Sequence, residues 1–177
     1  MRKMKTMGFL CLLIMLCAMT AYASDNALPE AVQKIADKAI ETASDYAKQL
    51  DGKWGDQHAA LVESGAGKAF DGFKELHTVL SGLAAKNDTY YVYALYPSGD
   101  AKASPYIITV DASESPDEYG KEIDFESEHF EAWSGKAVAQ NVTWKDDDGE
   151  MRISAYAPVH DSTGKIVAII GVDVPTP

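Results

Sequence analysis

The sequence predicts an α+β fold in which a long N-terminal helix and a second helix pack on a five-stranded antiparallel sheet. Apolar residues recur at helical spacing in the first half of the chain after residue 23, and aromatic and β-branched runs fill the second half. The last three runs are joined by turns that are too short for a parallel crossover, which needs about a dozen residues. Helices and strands that are separated along the chain in this way are typical of the α+β class.

The predicted helices precede residue 90. The stretch from Pro29 to Leu50 has an apolar stripe of helical period, a proline that fits a first helical turn, and an Asp-Gly pair after its end. A second stripe of the same period predicts a helix from Lys68 to Lys86. Between these two helices only residues 57–63 indicate a short helical turn.

The predicted strands follow the helices. Thr89–Tyr96 and Ser104–Asp111 flank a Pro-Ser-Gly-Asp turn and therefore predict an antiparallel hairpin. An acidic loop covers residues 112–131 and leads into a short helix at Ser127–Ser134. The other three strands are predicted at Val138–Lys145, Met151–His160 and Lys165–Val174.

Composition indicates one folded domain with an acidic surface. The chain has 177 residues, of which 46% are hydrophobic, and this is enough for a single packed core. Its 16 basic and 27 acidic residues give a formal net charge of −11. Such a charge repels phosphate backbones, so nucleic acid is excluded as a partner.

Residues 1–23 have the pattern of a signal peptide. The basic residues Arg2, Lys3 and Lys5 precede an apolar run and an Ala-Tyr-Ala site that ends at Ala23. The apolar run is shorter than the roughly 20 residues of a membrane-spanning helix. We therefore expect cleavage after Ala23 and a mature domain, residues 24–177, that is periplasmic or secreted. Retention of the segment as a membrane anchor is the alternative.

Several motifs after residue 90 occur together: YVYALYPSGD, ITVDA, EAWSGKA, and a closing stretch that contains ISAYAP, DSTGK and GVDV. With these motifs, residues 29–174 resemble the Cache family of extracytoplasmic PAS-like sensor domains, also called PDC sensors, in the single-module form. The resemblance implies a small ligand bound beside the sheet and a role in signal transduction such as chemoreception. It also implies a homodimer formed through the N-terminal helix.

Asp173 is the one acidic residue of the last predicted strand. Alternation places it on one face with Ile169 and Gly171, while the opposite face is entirely apolar. Burying a carboxylate is costly unless the group is paired. Two roles stay open. Asp173 either anchors a cationic ligand nitrogen, as the resemblance implies for some amine-binding Cache domains, or caps the strand end through backbone hydrogen bonds.

Aromatic residues gather on the predicted sheet and its neighbouring loop. Aromatic faces with carboxylates nearby suit an organic cation through cation–π attraction, although strand propensity alone also places aromatics there. The candidate ligand-binding residues are Tyr91, Tyr93, Tyr106, Asp111, Trp133, Trp144, Tyr156 and Asp173.

The chain departs from the pattern of amino-acid-binding Cache domains, which have an Arg two residues before a Trp and a Tyr directly after it. Trp133 matches the Trp, but Glu131 and Ser134 occupy the other two positions. Outside the signal peptide Arg152 is the only arginine, so an organic anion would need Arg152 or a lysine. An amine-containing ligand is therefore favoured over a plain amino acid.

Catalytic and metal-binding signatures are missing from the sequence. Both cysteines, Cys11 and Cys17, lie in the signal peptide, and the four histidines have no metal-ligand spacing. We therefore predict a protein that is not an enzyme and uses no cofactor or metal. The predicted function is an exported small-molecule sensor domain that signals through a membrane receptor or kinase partner. The alternative is a ligand-free periplasmic adaptor that docks on a membrane receptor, and a sheet face filled by its own side chains would favour it.

The signal peptide gives the first testable prediction. The exported protein is expected to begin at Ser24 and to be soluble, because signal peptidase cleaves after small residues of the A-x-A type. Intact-mass measurement of the exported protein checks this. A mass that still includes residues 1–23, found in the membrane fraction, would identify the segment as an anchor.

Overall fold

The computed structural model of the protein describes residues 27–87, 90–112 and 119–177. The predicted signal peptide lies outside these ranges and remains a prediction. No helix within the described ranges has the length and apolar content that crossing a membrane requires.

Four α-helices and seven strands form the described part of the chain. The helices are α1 (Glu30–Leu50), α2 (Lys53–Ser64), α3 (Phe73–Ala84) and α4 (Ser127–Trp133). The strands are β1 (Tyr91–Pro97), β2 (Tyr106–Asp111), β3 (Glu122–Ile123), β4 (Val138–Ala139), β5 (Trp144–Lys145), β6 (Met151–His160) and β7 (Ile166–Thr176). The predicted α+β class is therefore confirmed.

The strands make one antiparallel sheet in the order β3-β2-β1-β7-β6-β4, and β5 also pairs with β6. The predicted number of five strands is wrong in two places. The predicted strand Val138–Lys145 is divided into β4 and β5, because Val142 between them is 55% exposed and the chain leaves the sheet there. In addition, the acidic loop contributes β3, which pairs with the start of β2.

The helices differ from the prediction in extent. The first helix agrees with it closely, but α2 is a full helix where only residues 57–63 had indicated a turn. Its buried stripe includes Gly55 and His58, which are not large apolar residues, so the sequence shows no clear apolar stripe of helical period here. The predicted second helix begins at Phe73 instead of Lys68, because Gly67–Ala69 forms a separate 3₁₀ turn.

Hydrophobic cores cover both faces of the sheet. On one face, α1 and α2 pack against the apolar side of β7 that alternation predicts, including Ala168, Ile170 and Val172, and α3 packs against β1 and β2. On the other face, Ala132 of α4 packs against a second cluster of aromatic and aliphatic side chains. The members of this second cluster on the strands are Tyr93, Leu95, Tyr106, Ile108, Tyr156 and Ile169.

The alanine stripe of α1 faces the sheet. Ala36, Ala39, Ala43 and Ala47 are all at most 4% exposed, and α1 contacts both β6 and β7. The outward face of α1 instead carries ion pairs such as Lys34–Glu30, whose Nζ–Oε1 distance is 2.8 Å. The α1 surface that a second copy of the chain would meet is therefore charged, and dimerisation remains a prediction.

Gly55 sets how closely α2 approaches the end of β6. A side chain at this position would place its Cβ well inside contact distance of the His160 carbonyl oxygen. We expect Gly55→Ala to lower the free energy of unfolding by about 1–3 kcal/mol, the cost of overpacking. Gly82→Ala is the control, since Gly82 is an exposed residue of α3 and the space around its Cβ position is open. It is expected to stabilise by up to about 1 kcal/mol. Urea denaturation measures both, and equal effects would contradict the close approach.

Candidate functional site

The predicted ligand-binding residues share one face of the sheet, the face opposite to α1, α2 and α3. Strand register places Asp173 beside Tyr91 of β1 on one side and Ser154 of β6 on the other. In the same way Tyr93 lies opposite Asp111 of β2. We refer to this surface as the α4 face, because α4 and its Trp133 pack over it.

Asp173 is buried in the α4 face with only 5% of its surface exposed. Its Oδ1 accepts a hydrogen bond of 2.8 Å from the Tyr93 hydroxyl, and Ser154, its register partner on β6, also stabilises the ionised carboxyl group. Ser154 in turn accepts a bond of 3.0 Å from the indole nitrogen of Trp144. Asp173 therefore lies within the strand and bonds to side chains, whereas a strand-end cap would bond to the backbone.

Gly171 makes room for the ring that holds Asp173. Tyr93 and Gly171 are partners across β1 and β7, and a Cβ at residue 171 would overlap the Tyr93 ring. The glycine in the GVDV motif therefore allows Tyr93 to lie flat on the sheet with its hydroxyl at Asp173.

A line of polar side chains leads from Asp173 towards the protein surface. The Tyr93 hydroxyl interacts with the hydroxyl of Tyr156, and Tyr156 interacts with the carboxyl group of Glu126. Gln140 donates to the same Glu126 carboxyl at 2.7 Å. Tyr93 and Tyr156 are almost fully buried, whereas the Glu126 side chain is 36% exposed. The line thus joins a buried carboxyl group to one at the rim.

The two carboxyl groups at the ends of this line are both poised to hold a proton. Burial raises the pKa of Asp173 to about 6, against the hydrogen bonds from Ser154 and Tyr93. Burial also raises the pKa of Glu126. Both carboxyl groups therefore bind a proton more tightly than exposed carboxyl groups do.

His129 of α4 lies beside this line and is completely buried. Its ring packs against Tyr156 with centroids 4.6 Å apart and against Tyr106 at 5.0 Å. Burial lowers the pKa of His129 to about 4, so the ring is neutral at pH 7. Neither ring nitrogen has a hydrogen-bond partner among the described residues, and Nε2 lies 3.8 Å from Oε2 of Glu126.

Two of the predicted aromatic residues have packing contacts of their own. The Tyr106 hydroxyl donates to the Ala101 carbonyl at 3.0 Å. Trp133 makes an edge-to-face contact with Tyr96 at a centroid distance of 5.4 Å. They form part of the wall of the α4 face, while Tyr93 interacts with both Asp173 and Tyr156.

Tyr91 stands at the end of the face next to Arg152. The Arg152 guanidinium lies over the Tyr91 ring, 4.1 Å from its centroid. Three carboxylates of the β5–β6 turn also hold this guanidinium, with N–O distances of 2.9 to 3.2 Å; they belong to Asp146, Asp148 and Glu150. Arg152 is thus already surrounded by anions, which disfavours the binding of an organic anion there.

Sequence reasoning missed Glu126, His129 and Gln140. All three come from the acidic loop, α4 and the end of β4, and the contact of the His129 ring with Tyr156 of β6 joins residues that are far apart in the sequence. It also missed a cleft of about 310 Å³ at the N-terminal half of α1. The cleft is lined by α1 residues such as Gln33 and Ile40 and by residues 136–141.

The comparisons with known proteins place the fold. No protein-family model matches the chain, and no curated protein matches it. Among solved structures, an extracellular ligand binding receptor from Desulfohalobium retbaense superposes with a TM-score of 0.53 at 16% identity, over 82% of this chain and 24% of that chain. The ligand-binding domain of the Campylobacter jejuni chemoreceptor Tlp3, in complex with 4-methylisoleucine, gives 0.44 at 13% identity over 78% and 59% of the two chains.

A third similar structure is the periplasmic domain of RsbU from Chlamydia trachomatis, with a TM-score of 0.39 at 13% identity over 83% of this chain and 54% of that chain. The chain spans about a quarter of the length of the Desulfohalobium receptor. The protein has the fold of the extracytoplasmic sensor domains of the Cache type, as the motifs after residue 90 imply.

The raised pKa of Asp173 predicts a pH-dependent stability. The native state holds this proton more tightly than the unfolded state, whose aspartate has a pKa near 3.8. The stability contributed by Asp173 is therefore present below about pH 4 and is lost as the pH rises to about 6. Relative to Asp173→Asn, the protein is expected to lose about 2–3 kcal/mol across this window.

Urea denaturation of both proteins from pH 4 to pH 7 measures this difference. Other titrating groups, including His129, are common to the two proteins, so their contributions cancel in the difference between the two free energies of unfolding. A difference that stays constant with pH would show that Asp173 has an ordinary pKa.

Proposed function

We propose that this protein is an exported sensor domain that binds a small amine-containing solute on its α4 face, with Asp173 as the anchor of the cationic nitrogen. The observation that carries the proposal is the buried Asp173 carboxyl group inside a cluster of tyrosines, on a sheet of the Cache type. Its role is binding and not catalysis.

The chemistry around Asp173 supports a cation. Its hydrogen-bond partners are the hydroxyls of Tyr93 and Ser154, and the charge of Arg152 acts on it through space. An ammonium group would supply a full opposite charge in a desolvated setting, where charge-assisted hydrogen bonds are strong. The rings of Tyr93 and Tyr156 add cation–π attraction. In this proposal the ligand nitrogen replaces the Tyr93 hydroxyl as the partner of Asp173.

Signalling is the finer part of the proposal. The mature domain acts outside the cytoplasmic membrane, after cleavage behind Ala23, and passes the signal to a membrane receptor or kinase. The fold it shares with an extracellular ligand binding receptor supports this setting. A homodimer through α1 would have to form over its charged outward face, and light scattering tests it.

One observation favours the alternative of a ligand-free adaptor. Tyr93, Tyr156 and Asp173 are 6%, 2% and 5% exposed, so the protein's own side chains fill the centre of the α4 face. A ligand must therefore displace side chains that already contact one another. An adaptor would keep this packing and use its acidic surface to dock on a receptor.

A thermal-shift screen of amines and carboxylates separates the two functions. A bound amine is expected to raise the melting temperature, because it stabilises only the native state. Asp173→Ala is expected to weaken the binding of that amine by about 2–5 kcal/mol, the cost of removing one partner of a buried charge pair.

Asp37→Asn is the matched control. It removes the same charge from the exposed face of α1, on the other side of the sheet. It should leave affinity unchanged. A screen in which no compound shifts the melting temperature would favour the adaptor, and an amine whose affinity survives Asp173→Ala would bind elsewhere.

A further inference from the structure

A second pair of polar side chains, Glu126 and His129, lies at the opposite end of the tyrosine line from Asp173. Here the neutral ring of His129 meets the carboxyl group of Glu126. His129 is completely buried and neither of its nitrogens has a protein partner in the described ranges, although burying an unpaired polar group is costly. The absence of a hydrogen-bond partner for these ring nitrogens among the described residues indicates a donor that comes from a bound molecule.

The geometry between the two side chains defines that donor. His129 Nε2 and Glu126 Oε2 are 3.8 Å apart, which is too long for a hydrogen bond between them. One nitrogen placed about 2.9 Å from each of these atoms bridges them. A primary ammonium has three N–H donors, and it meets here an imidazole lone pair, a carboxylate and the hydroxyl oxygen of Tyr156.

We propose that Glu126 and His129 form a second ammonium site, and that the ligand of the α4 face is therefore a small organic diamine, with one nitrogen at Asp173 and the other at Glu126. This inference rests on the proposed binding of an amine at Asp173. It adds the second contact and with it the class of ligand.

The spacing and charge of the two ends suit such a ligand. Glu126 and Asp173 lie at the two ends of the line that Tyr93 and Tyr156 form, so one ligand needs two nitrogens joined by a short spacer to reach both. Short aliphatic diamines have this form. The two carboxylates carry two negative charges when ionised, and a diammonium ion balances both. Arg152 already pairs with three carboxylates of its own.

Accessibility favours entry at the Glu126 end. Its side chain is 36% exposed, whereas Asp173 is 5% exposed. The first ammonium can therefore reach Glu126 from solvent. The second then takes the place of the Tyr93 hydroxyl at the ionised Asp173.

Calorimetry with matched amines tests the inference on the purified exported protein. The probes are 1,3-diaminopropane, 1,4-diaminobutane and 1,5-diaminopentane, with n-butylamine as the monoamine of equal chain length, at a pH above the pKa of Asp173. At least one diamine is expected to bind about tenfold or more tightly than butylamine, the effect of one added hydrogen bond to a charged group.

Two variants locate the second nitrogen. Glu126→Gln keeps the shape of the side chain, and His129→Phe keeps the ring packing against Tyr106 and Tyr156. Each is expected to lower the affinity for the diamine to that for butylamine, within about twofold. Glu131→Gln is the control, because Glu131 lies on the same helix and pairs with Lys136 at 2.6 Å in an exposed position. It should change neither affinity.

The possible results separate this inference from the proposed function. Equal affinities for diamine and butylamine, unaffected by Glu126→Gln, would overturn the second site and leave Asp173 as a single anchor. A diamine preference that survives both variants would also overturn it. If no amine binds, the proposed function itself is wrong.

Discussion

The central strand β7 is covered on both of its faces, and the polar groups of the protein are arranged around this constraint. The helices α1 and α2 lie on one face of β7, while α4 and the tyrosine cluster lie on the other. Burying a carboxyl group on such a strand is costly unless neighbouring groups form hydrogen bonds with it. Tyr93 and Ser154 do so for Asp173, and Gly171 leaves the space in which the Tyr93 ring can reach it. The chemistry of the α4 face follows from that arrangement.

Sequence periodicity was sufficient for the elements that bury one continuous stripe. The helix α1 and the strands β6 and β7 agree with prediction to within one or two residues, and alternation separated the two faces of β7 correctly. In contrast, α2 was largely missed, because Gly55 and His58 occupy buried positions of its stripe. Gly55 is buried for close approach to β6 and His58 for its 2.7 Å contact with Thr109.

The candidate site was predictable only in part for a related reason. Asp173 was conspicuous because it interrupts an apolar strand, and Tyr93 and Tyr156 lie at positions that strand alternation can sort. Glu126 and His129 lie in an acidic segment where one more charged or polar residue gives no signal. Their importance comes from contacts across the sheet with Tyr156 and Gln140, which depend on the tertiary fold. Similarly, the sequence alone leaves Arg152 as a candidate for binding an anion, whereas in the structure three carboxylates of the β5–β6 turn surround its guanidinium.

The alanine stripe of α1 has a mechanical consequence. Alanine side chains have no rotamers, so the alanine positions of α1 cannot absorb a displacement of β6 or β7 by side-chain rearrangement. Larger residues at such an interface would change rotamer and dampen small movements. A shift of β7 that accompanies a change at Asp173 would therefore be carried to α1 as a movement of the whole helix. The helix α1 would then move as a rigid body together with β7, the strand that contains the buried Asp173 carboxyl group.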